Sequence, residues 1–188
     1  MTFLEALITS STLILLTEIG DKTMITTMCL SAQHRHPAIV LLVTMLALAS
    51  STLIAVIIGF VLSSTLPLEF ILYLSAALFI CLGIHTLVRR IPEQANSCDN
   101  PQTLLSMFFL IFFSELGDKS QIAVLGLAAQ SQFPFMVLVG ALIGFLVINS
   151  IAAFAGNRLA NIISIDTIRK VSGFVFILFG VLMLLGFI

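Results

Sequence analysis

Two short runs of charged residues stand inside apolar stretches of this chain: Glu18-Ile19-Gly20-Asp21-Lys22 and Glu115-Leu116-Gly117-Asp118-Lys119. Each offers two carboxylates three residues apart, which on a helix share one face. The glycine between them, Gly20 or Gly117, removes a side chain and eases local unwinding, and unwound backbone frees carbonyl oxygens as ligands. Brought together, Glu18, Asp21, Glu115 and Asp118 suit a hard divalent metal ion such as Mn²⁺, Ca²⁺ or Mg²⁺. Set against Lys22 and Lys119, the four acids leave an excess of negative charge that one divalent ion neutralises. Without the ion, crowded carboxylates take up protons instead, so the same groups hold either metal or protons. Each charge at membrane depth costs at least about 2.5–3.5 kcal/mol on insertion scales. A purely structural ion-pair network would be charge-balanced, and two matched sets with an acid excess are not.

Flanking residues add supporting or gating candidates. Thr17, Ser114, Thr23 and Ser120 carry hydroxyls that suit either a ligand role or a bond back to a helix carbonyl. Met24 and Gln121 hold equivalent places after each Asp; a thioether at Met24 favours Mn²⁺ over Ca²⁺ as a ligand, while a packing methionine is the plainer reading. Ser50, Ser51, Thr52, Asn149 and Ser150 place polar groups in the second and fifth apolar stretches, as path lining or as interhelical glue. Gln33 and Gln130, at the ends of the first and fourth stretches, suit a gate or a cap. Glu69 and Asp166 suit helix N-termini, where the dipole favours carboxylates.

The elements that must carry these groups follow from composition. The chain is 60% hydrophobic and 9% charged, against about 25% charged in a soluble domain. This is an all-α membrane protein by expectation, with six transmembrane helices at roughly 3–30, 38–62, 68–88, 103–130, 135–156 and 167–188. The first apolar stretch holds Glu18 and Asp21 and lacks a basic region before it, so it reads as a span and not as a cleavable signal. A net charge of −1 excludes a nucleic-acid footprint. Cys29, Cys81 and Cys98 show no pairing or zinc spacing and read as free or packing thiols.

The two halves superimpose at a constant offset of 97 residues without a gap. Glu18 falls on Glu115, Asp21 on Asp118, Gln33 on Gln130, Pro37 on Pro134, Gly59 on Gly156 and Gly83 on Gly180. This is an internal duplication: a first three-helix repeat over 1–90, a cytoplasmic linker over 91–102, and a second three-helix repeat over 103–188. An odd number of spans per repeat inverts the second relative to the first, an arrangement found in many secondary transporters. Outside the motifs the basic residues are Arg35, Arg89, Arg90, Arg158, Arg169 and Lys170. All follow the first, third or fifth span or edge it, which puts those loops in the cytoplasm and both termini outside.

The doubled Glu-x-Gly-Asp-Lys-Thr/Ser, one copy per half, resembles the family of eukaryotic Golgi and chloroplast manganese/calcium transporters, which includes bacterial manganese exporters of the MneA type. The resemblance covers essentially the whole chain. It implies a cation/proton exchanger moving Mn²⁺ or Ca²⁺ out of the cytosol, with Glu18, Asp21, Glu115 and Asp118 as the ion site and Thr23 and Ser120 as motif hydroxyls. Relatives often carry Gln after the hydroxyl residue in both halves; here Gln121 does and Met24 departs. The short chain looks like the bacterial branch, which implies an inner-membrane Mn²⁺ exporter with periplasmic termini, working by alternating access with H⁺ as counter-ion. A Ca²⁺/H⁺ antiporter of the same architecture and a divalent-cation channel or uniporter stand as alternatives. An enzyme is not expected: the partner Tyr-Asp motif of an intramembrane aspartyl protease is missing, and no Arg stands at membrane depth to hold a phosphate. The expected partners are the metal ion, protons and the lipid bilayer, with no resident cofactor. Monomer and homodimer both remain open.

Overall fold

The computed structural model describes residues 2–34, 36–88, 103–159 and 165–185. Arg35, Arg89, Arg90 and the expected linker 91–102 lie outside them. Among the described residues all regular structure is helical: α1 (Phe3–Glu18), α2 (Lys22–Gln33), α3 (Pro37–Thr65), α4 (Leu68–Val88), α5 (Leu104–Glu115), α6 (Lys119–Gln130), α7 (Pro134–Leu159) and α8 (Ile165–Leu184).

Local chemistry sets the ends. Thr2 and Glu5 form a reciprocal capping box at the start of α1, and Thr103 with Ser106 does the same for α5, satisfying amides that have no helical acceptor. Pro37 and Pro134 open α3 and α7, where a missing N–H costs nothing. α3 stops at Thr65, just before Leu66-Pro67, because the residue ahead of a proline is pushed out of the helical region.

Two of the six expected spans are each divided by a turn at their motif glycine. The first span is two helices, α1 and α2, bent by 67°, and the fourth is likewise divided into α5 and α6. The breaks fall on the motif glycines, Gly20 at φ 68° and Gly117 at φ 81°, a backbone conformation that side chains with a Cβ rarely adopt. α3, Glu69–Val88 of α4 and Pro134–Phe154 of α7 are each long and apolar enough to cross a membrane, and the bent α1–α2 pair makes a fourth. The apolar stretches Leu104–Glu115 and Gly173–Leu184 are shorter. Leu42, Leu46, Ile57 and Phe60 on α3 are exposed, as suits a lipid-facing surface.

Packing runs mainly between the sequence halves: α1 on α7, α4 on α8, and α3 on α5, α6 and α7. Small residues let the backbones approach, as membrane helices require. A Cβ on Gly59 of α3 would stand 2.6 Å from the Leu125 carbonyl of α6. α4 and α8 run antiparallel, since Gly83 meets Gly173 and Ile177 while Gly180 meets Ala76 and Ile80. These contacts come in matched pairs: under the 97-residue offset, Gly83–Ile177 maps onto Gly180–Ile80, and Gly83–Gly173 onto Gly180–Ala76. Phe79 packs against Phe176 and Phe179 across this seam, with ring centroids 6.0 and 6.3 Å away. Cys81 is a free, exposed thiol, but Cys29 is disulfide-bonded, which corrects the reading of all three cysteines as unpaired.

Candidate cation site at the two helix breaks

Each motif is a helix end, a turn and a helix start. Glu18 is the last residue of α1, and Asp21 is the N-cap of α2; Glu115 and Asp118 stand likewise between α5 and α6. The turns close through the Asp21 amide donating to the Glu18 carbonyl (3.1 Å) and the Asp118 amide donating to that of Glu115 (3.0 Å). The acids of one motif therefore do not share a continuous helix face. Instead each Glu sits at the negative end of one helix dipole and each Asp at the positive end of the next. Neither Asp caps its own helix in the usual way, although the Asp118 carboxylate meets the Lys119 amide and faces Asp21.

Glu18 and Glu115 are fully buried. Both carboxylate oxygens of Glu18 lack a hydrogen-bond partner, as do Oδ2 of Asp21, Oε2 of Glu115, Oγ of Ser120 and Nε2 of Gln121. Buried polar groups are normally paired, so this concentration of partnerless buried polar atoms makes the two breaks the candidate site. Glu18 also lies within electrostatic reach of Glu115, Asp21, Asp118 and Lys119.

The Asp21 and Asp118 carboxylates face each other across the two breaks, and two hydrogen bonds join the motifs. The Thr23 hydroxyl donates to Oε1 of Glu115, and Lys119 Nζ donates to Oδ1 of Asp21 at 2.5 Å. Lys22, by contrast, is exposed. Among the described residues, no three of His, Cys, Asp and Glu are drawn up close enough to hold a metal ion as they stand. The four acids are thus neighbours around two helix breaks, with one of them bridged to a lysine.

The flanking candidates divide. Thr17 donates back to the Leu13 carbonyl (2.8 Å) and Ser114 to that of Ile111 (3.0 Å), so both hydroxyls are absorbed by their own helices. Met24 is buried, and its sulfur accepts the Gly20 amide at 3.1 Å, bracing the turn. Asn149 is fully buried; its oxygen accepts the Thr27 hydroxyl (2.9 Å) and its amide donates to the Phe145 carbonyl (2.9 Å), which ties α2 to α7. Ser50 and Ser51 bond back within α3, whereas the buried Thr52 hydroxyl has no partner. Gln130 donates to the Gly126 carbonyl (3.2 Å) and to the sulfur of Met183 (3.6 Å); Gln33 is exposed. The Thr27–Asn149 link was missed from the sequence, since Thr27 aligns with the apolar Val124 and carries no repeat signal.

The family described as "Divalent cation/proton antiporter GDT1" matches this chain over residues 6–94 and 103–187. Similar curated proteins include "GDT1-like protein 2, chloroplastic" of Oryza sativa subsp. japonica, 32% identical over 93% of this chain and 59% of its own length. "GDT1-like protein sll0615" of Synechocystis is 31% identical over 90% of this chain and 91% of its own. A Vibrio cholerae protein named "Putative manganese exporter" is 27% identical over 93% of this chain and 88% of its own. This chain thus spans less than two thirds of the rice protein and most of the two bacterial ones. No solved structure matches.

Proposed function

The chain belongs to the GDT1 family of divalent cation/proton antiporters, and on that premise we propose that it exports Mn²⁺ from the cytoplasm in exchange for protons. The observation that carries this is the pair of buried glutamates at paired helix breaks, Glu18 and Glu115, with carboxylate oxygens left without protein partners. Metal and protons compete for those oxygens. Broken helices are the usual means by which transporters present charge and free backbone to an ion inside the membrane. Asp21 and Asp118 complete the cargo site once Lys119 leaves Asp21, and Ser120 adds a hydroxyl oxygen.

The two repeats act as inverted halves that rock about this site. The 97-residue offset, the antiparallel α4–α8 seam and its matched contacts support that reading. Lys170, near the start of α8, is exposed and falls with Arg35, Arg89, Arg90, Arg158 and Arg169 on the side read as cytoplasmic, which leaves the termini periplasmic in a bacterial inner membrane. The Vibrio relative's name favours Mn²⁺ as cargo; Ca²⁺ is the second reading, because both are hard oxygen-seeking ions.

Purified protein in sealed proteoliposomes tests the proposal. Mn²⁺ or Ca²⁺ is added on one side while metal and internal pH are followed together, with an Asp21→Asn/Asp118→Asn double variant as control. Metal flux matched by opposite proton flux, lost in the variant, is the expected result. Metal flux indifferent to a pH gradient would make the protein a channel or uniporter.

A further inference from the structure

The two motifs are alike in sequence and alike in backbone, yet they are used differently. Thr23 of the first caps Glu115 of the second, while its counterpart Ser120 is buried without a partner and so is Glu18, the acid it would cap. Lys119 of the second motif bridges Asp21 of the first, while its counterpart Lys22 is exposed and not bridged to Asp118. The α4–α8 seam keeps its matched contacts. Departure from two-fold symmetry is not confined to the site, since among the described residues α1 packs on α8 and α6 on α4 without matching α5–α4 and α2–α8 packing; at the site it falls on side chains whose equivalents have the same chemistry.

We propose that Lys119–Asp21 with Thr23–Glu115, and Lys22–Asp118 with Ser120–Glu18, are alternative latch sets, one for each facing state of the transporter. This rests on the alternating-access reading above. In the state described here the ammonium of Lys119 neutralises Asp21 and Thr23 occupies one oxygen of Glu115, so the cargo meets Glu18 and the free oxygen of Glu115 first. Passage to the other state releases Asp21 and Glu115 and engages Asp118 and Glu18 in their place. The two lysines are then positioning residues: each acts as a tethered cation that holds half of the site while the other half is open. A chemically equivalent second set stands ready because the chain is duplicated; the bare Ser120 hydroxyl, fully buried, is its visible part.

Hydrogen–deuterium exchange in lipid nanodiscs, without added metal, tests this. The readout is the ratio of exchange rates between the Lys22–Gln33 and Lys119–Gln130 segments. Lys119→Met and the near-isosteric Thr23→Val each remove a charge-assisted contact of the present state, and the ratio should move about tenfold or more. Lys22→Met and Ser120→Ala should move it the opposite way or leave it within about twofold of the unmodified protein. If both sets move it in the same direction, or if Lys119→Met and Thr23→Val leave it unchanged, the latch proposal is overturned. A merely structural bridge would raise exchange in both segments together, which also overturns it. The measurement needs no cargo, so absence of Mn²⁺ flux in proteoliposomes would sink the functional reading separately.

Discussion

Replacing Gly117 by alanine isolates what the helix break is worth. Gly117 holds φ 81°, and a Cβ built on it would meet nothing within 4 Å. The penalty is therefore conformational with no steric part: about 1–2 kcal/mol for placing an L side chain in left-handed backbone. For a chain of this length that corresponds to a fall in Tm of about 2–8 °C. Asparagine tolerates left-handed backbone better than alanine, so Gly117→Asn should recover much of the loss although it is larger. Gly59 supplies the inverse control. Its φ is not positive, but its Cβ would stand 2.6 Å from the Leu125 carbonyl and 3.0 Å from the Ala128 Cβ. Alanine there must push α3 from α6, at a cost of about 1–3 kcal/mol, and asparagine must cost more. The order of alanine and asparagine thus reverses between the two positions. Thermal unfolding in detergent, followed by size-exclusion of the surviving protein, reads the order directly. Mn²⁺ flux should fall in Gly117→Ala more than in Gly117→Asn, because backbone relaxing toward the right-handed region re-aims Asp118 and Lys119. If Gly117→Ala unfolds at the same temperature as the unmodified protein and transports normally, the break is not a constraint and the reasoning fails.

Glu18→Gln and Asp118→Asn should each abolish Mn²⁺ flux while the protein still inserts and elutes as a single species; normal flux in both would remove the acids from the site. Thr27→Val and Asn149→Leu should each destabilise by about 1–3 kcal/mol, since either leaves a buried partner unpaired. The double variant should cost less than their sum, and strict additivity in a double-mutant cycle would dissolve the α2–α7 link. Met24→Leu should leave the preference between Mn²⁺ and Ca²⁺ unchanged, because the sulfur faces the Gly20 amide; a swing toward Ca²⁺ would return the thioether to the ligand set.

What the sequence made legible depended on what the repeat records. Charge inside apolar stretches located Glu18, Asp21, Glu115 and Asp118, and the 97-residue offset aligned them, because both signals survive in one dimension. The break itself was half legible: Gly20 and Gly117 announced easy unwinding, but the reading still kept Glu and Asp on one helix face. Hydropathy averages over a span and cannot see one turn of left-handed backbone. The direction of each flanking side chain was not legible at all. Thr17 and Thr23 are the same residue type on either side of one motif, and Met24, read foremost as a packing residue with a soft-ligand role as the alternative, accepts the Gly20 amide with its sulfur. The asymmetry between Lys22 and Lys119 lies beyond any reading of a duplicated sequence, since duplication specifies two equal options and the folded state takes one.

The fate of the hydroxyls shows how the glycine reaches the chemistry. A serine or threonine well inside a helix can donate to a carbonyl one turn earlier, and Thr17 and Ser114, near the ends of α1 and α5, do so. Thr23 and Ser120 are the second residues of α2 and α6. Four residues before them stand Ile19 and Leu116, which are C-caps of the preceding helices and belong to the turn. No earlier helical turn lies beneath these hydroxyls to absorb them. They are left to face the interior, where one finds Glu115 and the other finds no protein partner. Had α1 and α2 been one continuous helix, Thr23 would have bonded to Ile19 as Thr17 does to Leu13, and the motif would have lost its oxygen. The left-handed glycine therefore does more than bend the span: by ending one helix and starting another, it decides which hydroxyls are spent on backbone and which are left facing the interior.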